Sequence, residues 1–147
     1  MVERVAAIKA YAVHDLAAVV LGVDTVVVLD GEILGKPKDE SAAVETLLML
    51  GGRSHVVLSG WAVLAGERVA SGIERTVVTM HPLDRDRALR YVRSGEPMDK
   101  AGAYAIQGEG RELVASWDGS LRNVMGLPVE AVVPALIRFG VSPSSPP

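Results

Sequence analysis

The run Val19-Val20-Leu21-Gly22-Val23-Asp24-Thr25-Val26-Val27-Val28-Leu29 leaves this chain few ways to fold. β-Branched residues dominate it, and they pack best on a pleated, buried surface. Asp30-Gly31 follows at once, which is the residue pair of a two-residue hairpin. A buried strand over Val19–Leu29 is therefore expected, with Glu32-Ile33-Leu34 returning antiparallel to it. Gly35-Lys36-Pro37 then breaks the second strand.

The rest of the chain fits an α/β domain around that hairpin. Residues 2 to 18 read as a helix, with Val5, Ile8, Ala12 and Leu16 as its apolar face. Asp39 caps a helix that reaches about Leu50 and ends at Gly51-Gly52. His55 to Leu64 and Val69 to Met80 read as strands joined by a turn at Ala65-Gly66-Glu67. Asp84 caps a further helix with Ala88, Leu89 and Val92 inward, ended by Gly95. Residues 96–110 are irregular and rich in glycine. Glu112 to Trp117 reads as a strand, and Pro128 sits near the start of a last helix that contains Pro134. Residues 1–141 read as one domain, and 142–147 as a disordered Pro/Ser tail. Hairpins mixed with helices predict a mixed sheet, not a strict βαβ array. Neither GxGxxG nor GxxxxGK[ST] occurs, which disfavours the common dinucleotide and P-loop sites.

Composition narrows the function. Aromatic residues make up 4% of the 147, too few for a platform that stacks single-stranded bases. Net charge is -3 with the basic residues dispersed, so a nucleic-acid polymer is not the expected partner. Absence of Cys excludes disulfides and Cys-rich zinc sites, and His14, His55 and His81 show no ligand spacing. The opening residues carry charge where a signal peptide would be apolar, and the apolar run Leu16–Val23 is too short to span a bilayer. A cytoplasmic protein with no membrane partner is expected.

Several polar residues stand where chemistry could use them. Asp24 interrupts the apolar strand, and an ionised carboxylate there needs a partner. It is either a structural acid satisfied by amides or an Arg, or a metal ligand or general base. Thr25 faces the other way and by itself reads as an ordinary strand residue. Lys36, between Gly35 and Pro37, is either a solvated lysine or an ammonium aimed at phosphate. Lys9 lies on or beside the apolar face of the first helix, where it could simply snorkel. Asp99-Lys100 precedes Ala101-Gly102-Ala103-Tyr104, small residues that allow close backbone approach. The amide of Gln107 is either solvated or suited to the edge of a nucleobase. Glu96, Glu109 and Glu112 read as surface charges, and Arg85, Arg87, Arg90 and Arg93 as a solvated helix face.

Taken together, Gly22-Val23-Asp24-Thr25-Val26-Val27, Leu34-Gly35-Lys36-Pro37, the stretch from Ser94-Gly95-Glu96-Pro97 through Ala105-Ile106-Gln107-Gly108, and Asn123-Val124-Met125-Gly126-Leu127-Pro128 resemble the Maf family in order and spacing. The resemblance covers about residues 3 to 140. It implies a Maf/inosine-triphosphatase-like α/β fold, a mixed elongated sheet flanked by helices. It also implies hydrolysis of a nucleoside triphosphate to monophosphate and pyrophosphate with a divalent cation, Mg or Mn. By the same resemblance Asp24 binds metal or activates water, and Lys9, Lys36 and Lys100 neutralise the triphosphate. Asp99 orients Lys100 or joins the metal site, Thr25 lies in the substrate site, and Gln107 points to the branch preferring dTTP and UTP. Family members open with a strand and a Ser-x-Ser-Pro-Arg-Arg loop that this sequence does not contain, and Leu121-Arg122 stands where an aromatic often precedes the Asn. An N-terminally shortened member is thus expected, with an uncovered apolar surface that a homodimer would bury. A nucleotide-binding or interaction domain without catalysis is the alternative.

Overall fold

A computed structural model of the chain describes residues 1–142. The tail reading at 143–147 lies outside the described residues. Helix α1 (Val2–Ala12) leads into strand β1 (Val19–Leu29), and β2 (Glu32–Leu34) returns along its end. Asp30 and Gly31 take φ of 52° and 85°, the left-handed pair that a tight hairpin requires. Helix α2 (Glu40–Leu50) starts where the Asp39 carboxylate accepts from the Ala42 amide at 2.7 Å. Strands β3 (Ser54–Ala65) and β4 (Arg68–Met80) form a long hairpin. Helix α3 (Arg85–Arg93) is capped in the same way by Asp84, which accepts from Arg87 N at 2.7 Å. Short 3-10 turns fill 96–113, and β5 (Val114–Asp118), α4 (Leu121–Val124) and α5 (Val129–Arg138) complete the fold.

The sheet order is β2-β1-β3-β4-β5, and every neighbouring pair is antiparallel. The α/β class with helices flanking one sheet holds, but the sheet is antiparallel throughout and not mixed, because the α2 crossover returns β3 in the direction of β2, antiparallel to β1 between them. One face carries α2, α3 and the 3-10 turns over Val27, Leu29, Val57, Val78 and Met80. At the far end of that face α5 places Val132 and Ala135 on Val63 and Ala70. The opposite face carries α1, seated on β1 and β3. No helix among the described residues is long and apolar enough to cross a membrane.

Helix α1 differs from the sequence reading in length and in facing. It ends at Ala12, because Asp15 turns the chain with its carboxylate accepting from Ala17 N at 2.9 Å. Its buried residues are Val2, Ala6 and Ala10. Ile8 and Leu16, expected inside, are 58% and 73% exposed. The cause lies in the strands below. A Cβ added to Gly22 would collide with the Ala6 carbonyl, and one added to Gly60 with the backbone of Val2 and Glu3. The helix backbone rests directly on two strand glycines, so only small residues fit the contact.

Gly60→Ala is accordingly expected to lower the free energy of unfolding by about 3 kcal/mol, from overpacking against backbone that cannot yield. Gly35→Ala, where an added Cβ meets nothing within 4 Å, should change it little. Urea denaturation of the two variants tests this; equal stabilities would refute the glycine seat.

Candidate active site

Strand β2 covers only the end of β1, pairing at Val27, Val28 and Leu29. From Val19 to Val26, β1 has β3 on one side and, among the described residues, no strand on the other. The two-residue turn makes Leu29 and Glu32 the pair that exchanges backbone bonds, so alternate residues of β1 aim their peptide groups at the β2 side. Val23 and Thr25 fall in that set and face the open edge. The Val23 carbonyl accepts from Lys9 Nζ there, at 3.3 Å. Side chains alternate in the other sense. Asp24 lies opposite Gly60 on the α1 face, and Thr25 opposite Ser59 on the other. The two residues thus flank one open edge from its two faces.

On the α1 face, Lys9 Nζ donates to Asp24 Oδ1 at 2.6 Å. The Asp24 side chain keeps 21% of its surface exposed and Lys9 keeps 53%. An apolar strand can hold this acid because it stands at an edge and meets an ammonium from the last turn of α1. Lys9 is therefore more than a snorkelling side chain.

The other face opens into a cleft of about 180 Å³ lined by Thr25, Lys36, Asp99, Lys100, Tyr104 and Gly126, among others. Lys36 reaches it from the break after β2, where the Gly35 carbonyl accepts from Gly102 N at 3.1 Å. Gly102 takes φ of 73°, and a Cβ there would press on Val27 at 3.0 Å, so glycine is what lets the loop close on β1. Lys100 donates to Asp99 at 3.0 Å. That bond and the Lys100 charge hold the Asp99 carboxyl below its ordinary range, with a smaller contribution from Lys36. Lys100 also lines a second, smaller recess with Tyr104, Gln107 and Met125. Gln107 Nε2 lies 3.6 Å from Met125 Sδ. The structure therefore gathers Thr25, Lys36, Asp99 and Lys100 at one cleft, places Gln107 next door, and sets Asp24 and Lys9 across the strand edge.

Beneath the cleft lies a polar chain that the sequence did not announce. Thr25 Oγ1 is 2.7 Å from Ser59 Oγ, and the Ser59 hydroxyl reaches the Asn123 carbonyl at 3.4 Å. Asn123, fully buried, donates through Nδ2 to the Val57 carbonyl at 3.2 Å and to Thr76 Oγ1 at 3.0 Å. Thr76 donates onward to the Ser120 carbonyl at 3.0 Å. Each of β1, β3 and β4 contributes one hydroxyl, and α4 contributes the amide. Thr25, an ordinary strand residue when read alone, is the surface end of this chain. His55 and Tyr104 form a second buried pair, Nε2 to Oη 2.6 Å. No motif in the sequence singles out Ser59 or Thr76, and their complete burial is what marks them. Glu96 is no surface charge: its carboxylate accepts from the Tyr91 hydroxyl and from the amides of Glu109 and Gly110.

Among the described residues no three His, Cys, Asp or Glu side chains come together as a metal-binding group. Asp24 stands as a single, partly exposed carboxylate. That donor set suits a hard divalent ion that takes its other oxygens from phosphates and water, and it does not suit an all-protein cage.

A family model described as "Maf-like protein" matches residues 1–139. A protein of Symbiobacterium thermophilum named dTTP/UTP pyrophosphatase is 50% identical over 142 residues, covering 95% of this chain and 73% of its own length. A Moorella thermoacetica protein of the same name is 47% identical over 144 residues, 95% of this chain and 74% of its own. Another, from Dictyoglomus turgidum, is 49% identical over 127 residues, 85% of this chain and 66% of its own.

The buried pair under the cleft generates a pH prediction. Burial lowers the His55 pKa from 6.5 to about 4. Between those values the unfolded chain binds a proton that the folded chain refuses. The stability tied to neutral His55 is complete above pH 6.5 and falls away as pH drops towards 4. At 1.36 kcal/mol per unit, the loss is about 3 kcal/mol at most. In His55→Phe this part of the slope should vanish, whatever the absolute stability of the variant. Urea midpoints measured across the window test it, and parallel slopes for the two proteins would contradict it.

Proposed function

The chain belongs to the Maf-like family, and we propose that it cleaves dTTP and UTP to the monophosphate and pyrophosphate at the open edge of β1. Relatives at 47–50% identity over most of the chain support nucleoside triphosphate pyrophosphatase as its activity. The observation that carries the placement is the meeting of Lys36 and Lys100 with Thr25 at the cleft, on the strand where Asp24 stands one residue away.

The chemistry follows from the charges. Water attacks phosphorus, one phosphoanhydride bond breaks, and the leaving pyrophosphate carries away the bond's electron pair. Lys36 and Lys100 would hold the triphosphate oxygens and offset the negative charge that builds on the leaving group. Thr25, held by Ser59, offers a fixed hydroxyl at the cleft floor. Asp99, which accepts from Lys100, would direct that ammonium along the rim. Asp24 would take the proton of the attacking water, with Lys9 fixing the orientation of its carboxylate. A divalent cation, Mg or Mn, would be held by Asp24 together with triphosphate oxygens, and it would supply charge neutralisation and a more acidic water. Gln107 would read the pyrimidine edge from the recess beside Lys100.

Asp24→Asn is the sharpest test, because it removes the base and leaves the shape. Pyrophosphate release from dTTP and UTP in the presence of Mg or Mn should fall by roughly a hundredfold or more in kcat. Nucleotide affinity and the urea midpoint should stay close to those of the parent. Full turnover in the variant would eliminate Asp24 from the chemistry. A parent protein that binds dTTP without releasing pyrophosphate would favour a binding domain instead.

A further inference from the structure

Glu96 follows Gly95, whose φ of 79° turns the chain out of α3. Its Oε1 accepts from the Tyr91 hydroxyl at 2.8 Å and from Gly110 N at 3.0 Å. Its Oε2 accepts from Glu109 N at 3.2 Å. The Tyr91 oxygen in turn accepts from Ala105 N at 3.0 Å. A single carboxylate thus ties down the backbone on both sides of Gln107, directly at Glu109 and Gly110 and through Tyr91 at Ala105. The glycines make this possible. A Cβ on Gly108, which sits at φ of 62°, would collide with Glu96 Oε2, and one on Gly110 would collide with the Ala105 carbonyl.

The donor count suits an ionised acid. A carboxylate is acceptor-only with about four lone-pair positions, and three donors nearly fill it. Bonds to an ionised acceptor are about twice as strong as neutral ones. Burial, the largest cause, pushes the Tyr91 hydroxyl well above its ordinary value, so it stays protonated and donating. Glu96 lines neither the cleft nor the Gln107 recess. Its carboxylate holds two amides of the loop that carries Gln107 and the Tyr91 hydroxyl of α3, which itself holds that loop at Ala105.

We propose that Glu96 is a positioning residue for base selection: it clamps the segment from Ala105 to Gly110 so that Gln107 is presented at a fixed place beside Lys100. The inference rests on reading Gln107 as the residue that contacts the base. It predicts a split between chemistry and recognition. A lax loop would blur the choice of base and weaken binding, while Asp24 and the lysines would keep their places.

The test compares Glu96→Gln, Gln107→Ala and the double variant, using dTTP and dGTP as substrates. Glu96→Gln keeps the volume but sets an NH2 group against one of the donors. The dTTP preference, as a ratio of kcat/KM values, should fall roughly tenfold through KM, with kcat for dTTP within about threefold of the parent. Amide exchange at Ala105, Glu109 and Gly110 should quicken while α2 is unchanged. The double variant should be no less selective than Gln107→Ala alone. If Gln107→Ala abolishes the preference and Glu96→Gln preserves it, the inference is wrong and the reading of Gln107 stands. If Gln107→Ala leaves the preference intact, the reading of Gln107 fails and takes the inference with it. A uniform drop in kcat for both nucleotides, with the preference retained, also overturns it. Should Glu96→Gln not fold, Tyr91→Phe removes only the hydroxyl and should lower the preference about threefold; an unchanged ratio there counts against the clamp.

Discussion

The contact of the α1 backbone with Gly22 and Gly60 sets the geometry on which the rest relies. Because neither glycine puts a side chain between its strand and the helix, α1 rests low on the sheet, and its last turn brings Lys9 within 2.6 Å of Asp24. The ammonium makes a carboxylate tolerable within a valine-rich strand. Raise the helix by one methyl group at either glycine, and both the packing and the ion pair must shift together. The stability of the fold and the orientation of the acid therefore share one cause.

The elements legible in the sequence were those decided by neighbouring residues. Asp30-Gly31 specified the hairpin, Asp39 and Asp84 specified the starts of α2 and α3, and glycines specified their ends. Helix α1 was misread because its buried face is chosen by partners in β1 and β3. Apolar spacing favoured Ile8 and Leu16, while the available space admitted only Val2, Ala6 and Ala10. Glu96 was misread for a similar reason, since its partners Glu109 and Gly110 lie in irregular turns without periodicity. That Asp24 and Thr25 face opposite ways followed from alternation. That they flank an open edge required the sheet order, which the sequence does not state.

The site divides into a charged rim and a neutral floor. Lys36, Asp99 and Lys100 belong to turns and keep much of their surface in solvent. Thr25, Ser59, Thr76 and Asn123 sit on the sheet and α4, joined by hydrogen bonds from one element to the next. A buried polar chain of this kind tolerates few alternative arrangements, because each unpaired group would be costly. It ties the start of the 123–128 turn to β3 and β4, and Thr25 Oγ1 lies 3.5 Å from the Gly126 carbonyl at the cleft wall. Long side chains can then adjust to a substrate above a support that does not.

The open flank of β1 has a second meaning. Among the described residues no strand pairs with this side of Val19–Val26, and strand edges of this kind are templates that another strand can join. Nature usually disarms such strands with charge. Here the charged residues near that edge are Lys9, Asp24 and Lys36, the same ones proposed to serve the nucleotide. Neutralising them to silence the chemistry would also strip this edge of the charges that set it apart from the valines around it.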